Sequence, residues 1–289
     1  MPSGILIIDK PPDWTSMDVC AKLRRLLGER RVGHAGTLDP MATGVLTVFV
    51  GRATRAVEFA EHGAKTYEAI LRLGMETDTQ DVTGTILRTS DALPTREAIL
   101  DVLPQFRGEI DQIPPMYSAL KRNGKKLYEL ARQGKTVERA PRRVTISELE
   151  LGEQIASSDW RLTVSCSKGT YIRTLCHDIG AALGCGGVMA ALRRTEAAGF
   201  TLADAVTLES VMQAAKEGRA EALLRPVDSL FSAYPARKLW GRAEQLCRNG
   251  NRFRLAGEDG IFRFYGQDGS FLMLGQRQGG EVRTIKSFF

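Results

Sequence analysis

Residues 65–74, KTYEAILRLG, alternate without a break: Tyr67, Ala69, Leu71 and Leu73 fall on one face, Glu68, Ile70 and Arg72 on the other. A period of two is the pattern of a strand with one buried side, and no helix produces it. RVTISELEL (143–151) and WRLTVSCS (160–167) alternate in the same way. GVLTVFV (44–50) is a continuous apolar, β-branched run that reads as a buried strand. GILIID (4–9), VTGTILR (82–88) and VMAALRRT (188–195) also read as strands. Strands arrive in runs rather than one per helix. That predicts an α+β fold, with a mixed, largely antiparallel central sheet flanked by helices.

Helices are expected from Thr15 or Ser16 to about Leu27 with Gly28 as the stop, over 52–63 ending at Gly63, from Thr95 to about Leu103, and over 170–184 ending at Gly184. Two short ones are expected between about 207 and 224. Beyond Ser229 the texture changes to one helix (about 241–248) and short strands near 252–255, 261–265, 271–276 and 282–286, parted by Gly and Asp-Gly turns. This predicts a large domain, 1–228, and a small β-rich one, 229–289.

The chain of 289 residues carries a net charge of +6. Residues 113–143 hold nine cations (Lys121, Arg122, Lys125, Lys126, Arg132, Lys135, Arg139, Arg142, Arg143) against Glu129 and Glu138, a net +7 that leaves the rest of the chain at −1. The cations are interleaved with Tyr117 and Tyr128. Phosphate neutralisation with aromatics at hand for stacking points to a nucleic-acid partner rather than a merely solvated face. No apolar run approaches the ~20 residues that cross a bilayer, and the interrupted start MPSGILIIDKPPDW is no signal peptide, so a cytoplasmic protein is expected. Five cysteines with no C-x-x-C pair favour neither a disulfide framework nor a zinc site. Cys176 beside His177 raises a thiol nucleophile, against which stands the commoner buried helical cysteine. Phosphate-loop, dinucleotide and H-E-x-x-H motifs are absent from the sequence.

HAGTLDPMATG (34–44) holds a single acid, Asp39, ahead of a proline that has no N–H to offer it. A tight turn is one reading. The other is a site: His34 and Asp39 share this loop, Tyr67 begins a strand, and Lys168, Tyr171 and Arg173 lie where SKGTYIRTL turns from strand to helix. A guanidinium at Arg173 reaching Asp39 would keep that carboxylate ionised, as a nucleophile or a general base, although a structural ion pair is the competing reading.

GILIIDKPPDWTS, RRVGHAGTLDPMATGVL, KTYEAILRLGMETDTQD, QIPPMYSALKRNGKKLYELARQG, CSKGTYIRTL and LRRTEAAGF, in that order over about residues 4 to 228, resemble the bacterial TruB-type tRNA pseudouridine synthases. The resemblance implies the pseudouridine synthase fold with a small C-terminal PUA-like domain. It also implies isomerisation of uridine 55 in the TΨC arm of tRNA by base flipping, without cofactor or metal. By the same comparison Asp39 is the catalytic aspartate and nucleophile. Tyr67 stacks on the target base and is a candidate for proton transfer at C5, and Arg173 pairs with Asp39. Tyr171 and Leu192 line the pocket, His34 fills the space left by flipped nucleotides, and Lys10 stands near the cleft. Lys121, Arg122, Lys125, Lys126 and Arg132 belong to an insertion that closes on the T arm, a lid expected to be mobile without RNA. The tail is expected at the acceptor end, and the protein to act as a monomer with no obligate protein partner. GCGGVMAALRRT departs from the family pattern in lacking a histidine after its glycines.

Overall fold

The computed structural model describes residues 2–122 and 124–289. In chain order its elements begin with β1 (Gly4–Lys10), α1 (Ser16–Leu27), β2 (Val32–Ala35), β3 (Thr43–Val50), α2 (Val57–Glu61), β4 (Lys65–Leu73), β5 (Met75–Thr77), β6 (Ile86–Thr89) and α3 (Arg96–Val102). There follow β7 (Gly108–Gln112), β8 (Lys121–Arg122), β9 (Lys125–Lys126), α4 (Leu127–Ala131), β10 (Arg142–Ala156), β11 (Asp159–Cys166), α5 (Ile172–Ala182) and β12 (Gly187–Ala197). The chain ends with β13 (Phe200–Thr201), β14 (Val206–Thr207), α6 (Leu208–Lys216), β15 (Ala236–Lys238), α7 (Gly241–Arg248), β16 (Phe253–Arg254), β17 (Gly260–Tyr265), β18 (Phe271–Gln278) and β19 (Glu281–Ser287). The chain is therefore α+β, as its strand-rich pattern predicts.

Contacts divide the chain into two units. One holds the chain up to Asp39, Leu46–Glu61 and Ala198–Phe289; the other holds Pro40–Val45 and His62–Ala197. In the first, the strand order is β14-β1-β3 with β2 on β3: β1 runs parallel to β14, and β2 antiparallel to β3 from Val32↔Val50 to Ala35↔Thr47. Helix α1 starts at a capping box in which Thr15 and Asp18 serve each other's backbone N–H, and stops at Gly28 with φ 61°. The C-terminal residues form a five-stranded sheet, β15-β17-β18-β19-β16, over a core of Leu239, Cys247, Phe253, Phe262, Phe264, Leu272, Met273 and Val282. It is joined to α2 inside the same unit: the Phe59 ring meets Phe231 edge-on at 5.2 Å, and Lys286 pairs with Glu58 at 2.6 Å.

The second unit is built on the order β3-β12-β4-β11-β10-β7, antiparallel apart from the parallel β3–β12 pair. Strand β4 buries the face predicted for it: Tyr67, Ala69, Leu71 and Leu73 are buried while Glu68, Ile70 and Arg72 are half-exposed. Helix α5 packs on β4 and β12. The approach is close because both partners are glycine: a Cβ on Gly180 would stand 2.0 Å from the Gly187 nitrogen.

On the other face of β4, the Arg72 guanidinium donates Nε to Asp159 Oδ1 at 2.8 Å and Nη2 to Oδ2 at 2.6 Å. These bonds hold the Asp159 carboxyl below its usual range, against the opposing effect of burial. A depressed carboxylate stabilises the fold above its unfolded value of about 3.9 and loses that contribution as pH falls through its folded value. Asp159→Asn should lower stability by about 1 kcal/mol at pH 7, a modest figure because the Arg72 side chain is 40% exposed and screened. Denaturant titrations at pH 7 and pH 3 would check that the difference shrinks in acid.

Three expectations are corrected. Residues 52–63 are not one helix but a 3₁₀ segment, Gly51–Ala56, followed by α2. The 82–88 strand shrinks to β6, Ile86–Thr89, because residues 78–84 are a loop tied down by side chains. His34 is not in a loop but on β2, opposite Val48; a four-residue strand containing a glycine carries too little pattern to be recognised before its pairing is seen.

Candidate active site

Asp39 ends the first stretch of chain in the first unit, in the segment between β2 and β3. The residue before it is fixed. Buried Ser16 accepts the Leu38 N–H at 2.9 Å and its own hydroxyl faces the Leu38 carbonyl at 3.3 Å. Ser16 is available for this because Thr15, not Ser16, caps α1. Asp39 is half-buried, more enclosed than a plain solvent turn requires, while Pro40 is exposed. Of the other candidates in this unit, His34 is half-buried on β2. Lys10 is fully buried at the end of β1, its ammonium donating to the carbonyls of Pro11 (2.8 Å) and Trp14 (2.6 Å).

The second unit gathers Tyr67, Leu192, Tyr171 and Arg173. Tyr67 on β4 lies directly across from Arg194 on β12 and from Val164 on β11, and Leu192 lies across from Ala69. Cross-strand partners share a face, so Tyr67 and Leu192 belong to one buried patch. Tyr171 stands at the N-cap of α5. Its N–H is accepted by Gln112 Oε1 at 3.0 Å, and its carbonyl receives Gln112 Nε2 at 3.3 Å. Buried Gln112 thereby fixes where α5 begins.

Arg173, the second residue of α5, is 6% exposed. Its Nη1 donates to the Thr79 carbonyl at 3.0 Å, its Nη2 to the Tyr117 carbonyl at 2.8 Å, and its Nε lies 3.8 Å from Asp81 Oδ2. The other oxygen of Asp81 is filled by Thr79 Oγ1 (2.8 Å), Thr83 N–H (2.9 Å) and Thr83 Oγ1 (2.6 Å). The loop bearing these groups is pinned to β12: Val82 donates its N–H to the Met189 carbonyl, and Met189 donates back to Gln80. Thr174 donates its hydroxyl to Gln80 Oε1 at 2.8 Å. The guanidinium is thus oriented by a built cradle and cannot swing freely. Ser16, Gln112 and the Thr79–Asp81 loop are all absent from the sequence-derived set. Their partners lie 22, 59 and 94 residues away, and no local signal reports such pairings.

The basic segment is structured among its described residues, Asn123 lying outside them. β8 and β9 pair antiparallel, Lys121 opposite Lys126 and Arg122 opposite Lys125, and one turn of helix, α4, follows. Tyr128 carries Lys126 at 5.3 Å and Arg132 at 5.4 Å from its ring centre. Arg122 donates to the Glu138 carbonyl, Arg139 to the Pro114 carbonyl, and Arg143 is engaged by Glu109 and Asp111. Lys121, Lys125, Arg132, Lys135 and Arg142 are exposed and, among the described residues, form no ion pair.

A thiol mechanism is not supported by the geometry. Cys176 is fully buried in α5, and desolvation first, with the Asp178 charge second, pushes its thiol up to about 12.

A family model described as TruB family pseudouridylate synthase (N terminal domain) matches residues 24–172, and one described as tRNA pseudouridylate synthase B C-terminal domain matches 173–232. A protein of Ralstonia pickettii named tRNA pseudouridine synthase B is 48% identical over 87% of this chain and 80% of its own length. One of the same name from Syntrophotalea carbinolica is 51% identical over 81% of this chain and 76% of its own. Among solved structures, that of a Cbf5-Nop10-Gar1 complex aligns with a TM-score of 0.74 at 25% identity, over 99% of this chain and 85% of that one.

Proposed function

This chain belongs to the TruB family of pseudouridylate synthases, enzymes that isomerise uridine in tRNA, and on that premise we propose that it acts on uridine 55 of the TΨC arm with Asp39 as nucleophile. The observation that carries the assignment is the half-buried acid next to the Ser16-anchored Leu38. Such anchoring suits a carboxylate that must meet its target in one orientation.

The reaction breaks the bond from C1′ to N1 and makes one from C1′ to C5; the proton on C5 leaves and N1 gains one. Atoms and electrons balance within the nucleoside, so the proposed chemistry needs no cofactor. The target base must be flipped out of its stack, with His34 occupying the gap. Asp39 either adds to the base or attacks the sugar. Tyr67 stacks on the freed uracil from the buried face it shares with Leu192, and is the candidate to move the C5 proton. Arg173 pairs with Asp39, Tyr171 lines the pocket, and Lys10, whose ammonium holds the Pro11 and Trp14 carbonyls, is the lysine of the cleft in this reading.

Residues 1–228 form the catalytic domain in this reading. Residues 229–289 form a PUA-like module that meets the acceptor end, which the separate sheet and core at the C-terminus support. Lys121, Arg122, Lys125, Lys126 and Arg132 lie in the segment that closes on T-arm phosphates. If Lys121, Lys125, Arg132, Lys135 and Arg142, exposed and without an ion pair among the described residues, each neutralise one phosphate, log Kd against log salt should have a slope of about 4, and Lys121→Ala with Lys125→Ala should reduce it by about 1 to 2. Filter binding across a salt series measures this; a flat response contradicts the clamp.

The likeness to a Cbf5 chain solved with Nop10 and Gar1 raises a second reading, action within an assembly directed by other components. Both readings meet one experiment: the protein alone is incubated with unmodified tRNA and pseudouridines are mapped chemically. A single modification at position 55 is expected. None, or one elsewhere, overturns the proposal, and activity appearing only with added protein or guide RNA transfers it to the second reading.

A further inference from the structure

Among the described residues the largest side chain with no solvent exposure is a cation, Arg194 on β12. The catalytic proposal gives it no role, although the motif that supplies Leu192 also supplies Arg193 and Arg194. A guanidinium inside a sheet is costly unless its donors are occupied, and a well-packed apolar side chain commonly stabilises such a position as well or better. Stability alone therefore does not explain an arginine here. Its contacts suggest what does.

The Arg194 Nε donates to the carbonyl of Val45 at 2.7 Å. In the parallel β3–β12 pairing Arg194 stands beside Gly44 and Arg193 beside Thr43. The backbones nearly touch: with φ 97° at Gly44, a Cβ there would lie 2.2 Å from the Arg194 carbonyl oxygen. From the half-exposed face, Arg193 adds a bond from Nη1 to Thr43 Oγ1 at 3.3 Å. Two successive arginines thus grip Thr43–Val45 from opposite faces. Along the chain Asp39 is therefore bracketed by anchors, Leu38 on Ser16 before it and Thr43–Val45 on β12 after it. On its other edge β12 places Arg194 directly opposite Tyr67.

Resting on the functional reading above, we propose that Arg194 is a positioning residue for the isomerisation: it holds the exit of the Asp39 loop in register with the strand that carries Tyr67. It touches no substrate. Its contribution is to restrict where the loop bearing the carboxylate can lie, so that the nucleophile does not drift from its attack position.

The test uses single-turnover rates and RNA Kd for wild type, Arg194→Lys, Arg194→Met and a core control, Ile146→Ala on β10, whose loss of melting temperature is recorded alongside. Loss of positioning should lower the rate of Arg194→Met about 100-fold and that of Arg194→Lys about tenfold, since lysine keeps the charge but not the Nε geometry, with Kd unchanged. Ile146→Ala should keep its rate per folded molecule despite its lost stability. A wild-type rate in either Arg194 variant, or an equal loss in the control, overturns the inference. If Arg194→Met does not fold, Arg194→Lys decides by the same criterion. A wild type that forms no pseudouridine overturns the functional reading and this one with it, whereas an active wild type with equally active Arg194 variants sinks only the positioning role.

Discussion

Asp39→Asn is expected to abolish pseudouridine formation, lowering the single-turnover rate by about 10⁴-fold or more while RNA affinity stays within about threefold. Asparagine has the size and shape of aspartate, so the Ser16–Leu38 anchor should persist and only the charge is removed. An amide can neither add to a pyrimidine nor attack a sugar carbon with comparable ease. Rates on radiolabelled unmodified tRNA, with Kd from filter binding of the same preparations, separate the two effects. A variant within tenfold of wild type would exclude Asp39 as the nucleophile and return the loop to its reading as a plain turn.

Arg173→Lys is the second large effect. The guanidinium is oriented by the Thr79 and Tyr117 carbonyls and by Asp81, and a lysine ammonium on a shorter reach cannot meet all three. The variant should leave a buried carboxylate and at least one buried carbonyl poorly served, and should present its charge in the wrong place. A loss of about 10²- to 10³-fold in rate is expected, on the scale of removing one preorganised electrostatic group, with Kd little changed. The outcome that contradicts this assignment is weakened RNA binding at an unaltered rate, which would make Arg173 a phosphate contact.

What the sequence revealed follows the range of its signals. The alternation of residues 65–74, the paired strands around 143–151 and 160–167, the Thr15–Gly28 frame of α1 and the Gly-punctuated strands of the C-terminal module are local patterns, and the structure contains them. The 15-residue length of β10 and the short strands β2 and β7 are not local: each is defined by its hydrogen-bonded neighbour. The same division holds at the candidate site. Asp39 draws notice because a lone acid precedes a proline, and Tyr171 and Arg173 because a glycine turn leads into a helix. Nothing nearby in sequence marks Asp81 as a neighbour of Arg173, Gln112 as the clamp on Tyr171, or Ser16 as the anchor of Leu38, because those contacts arise only when distant segments pack. The start of the 82–88 run misled for a related reason: its β-branched residues look like a strand, but Thr83 and Thr85 bond back to Asp81 and Asp78 and belong to the loop before β6.

The account rests on the Asp39 carboxylate being held by Arg173 against a flipped uridine. A crystal structure of the protein with a T-arm stem-loop measures this directly. The prediction is that the position-55 base is out of the helix and stacked on Tyr67, with an Asp39 oxygen within about 3.5 Å of its C6 or C1′ and within hydrogen-bonding reach of Arg173. A complex in which that nucleoside stays stacked, or in which the two side chains face different cavities, would contradict it.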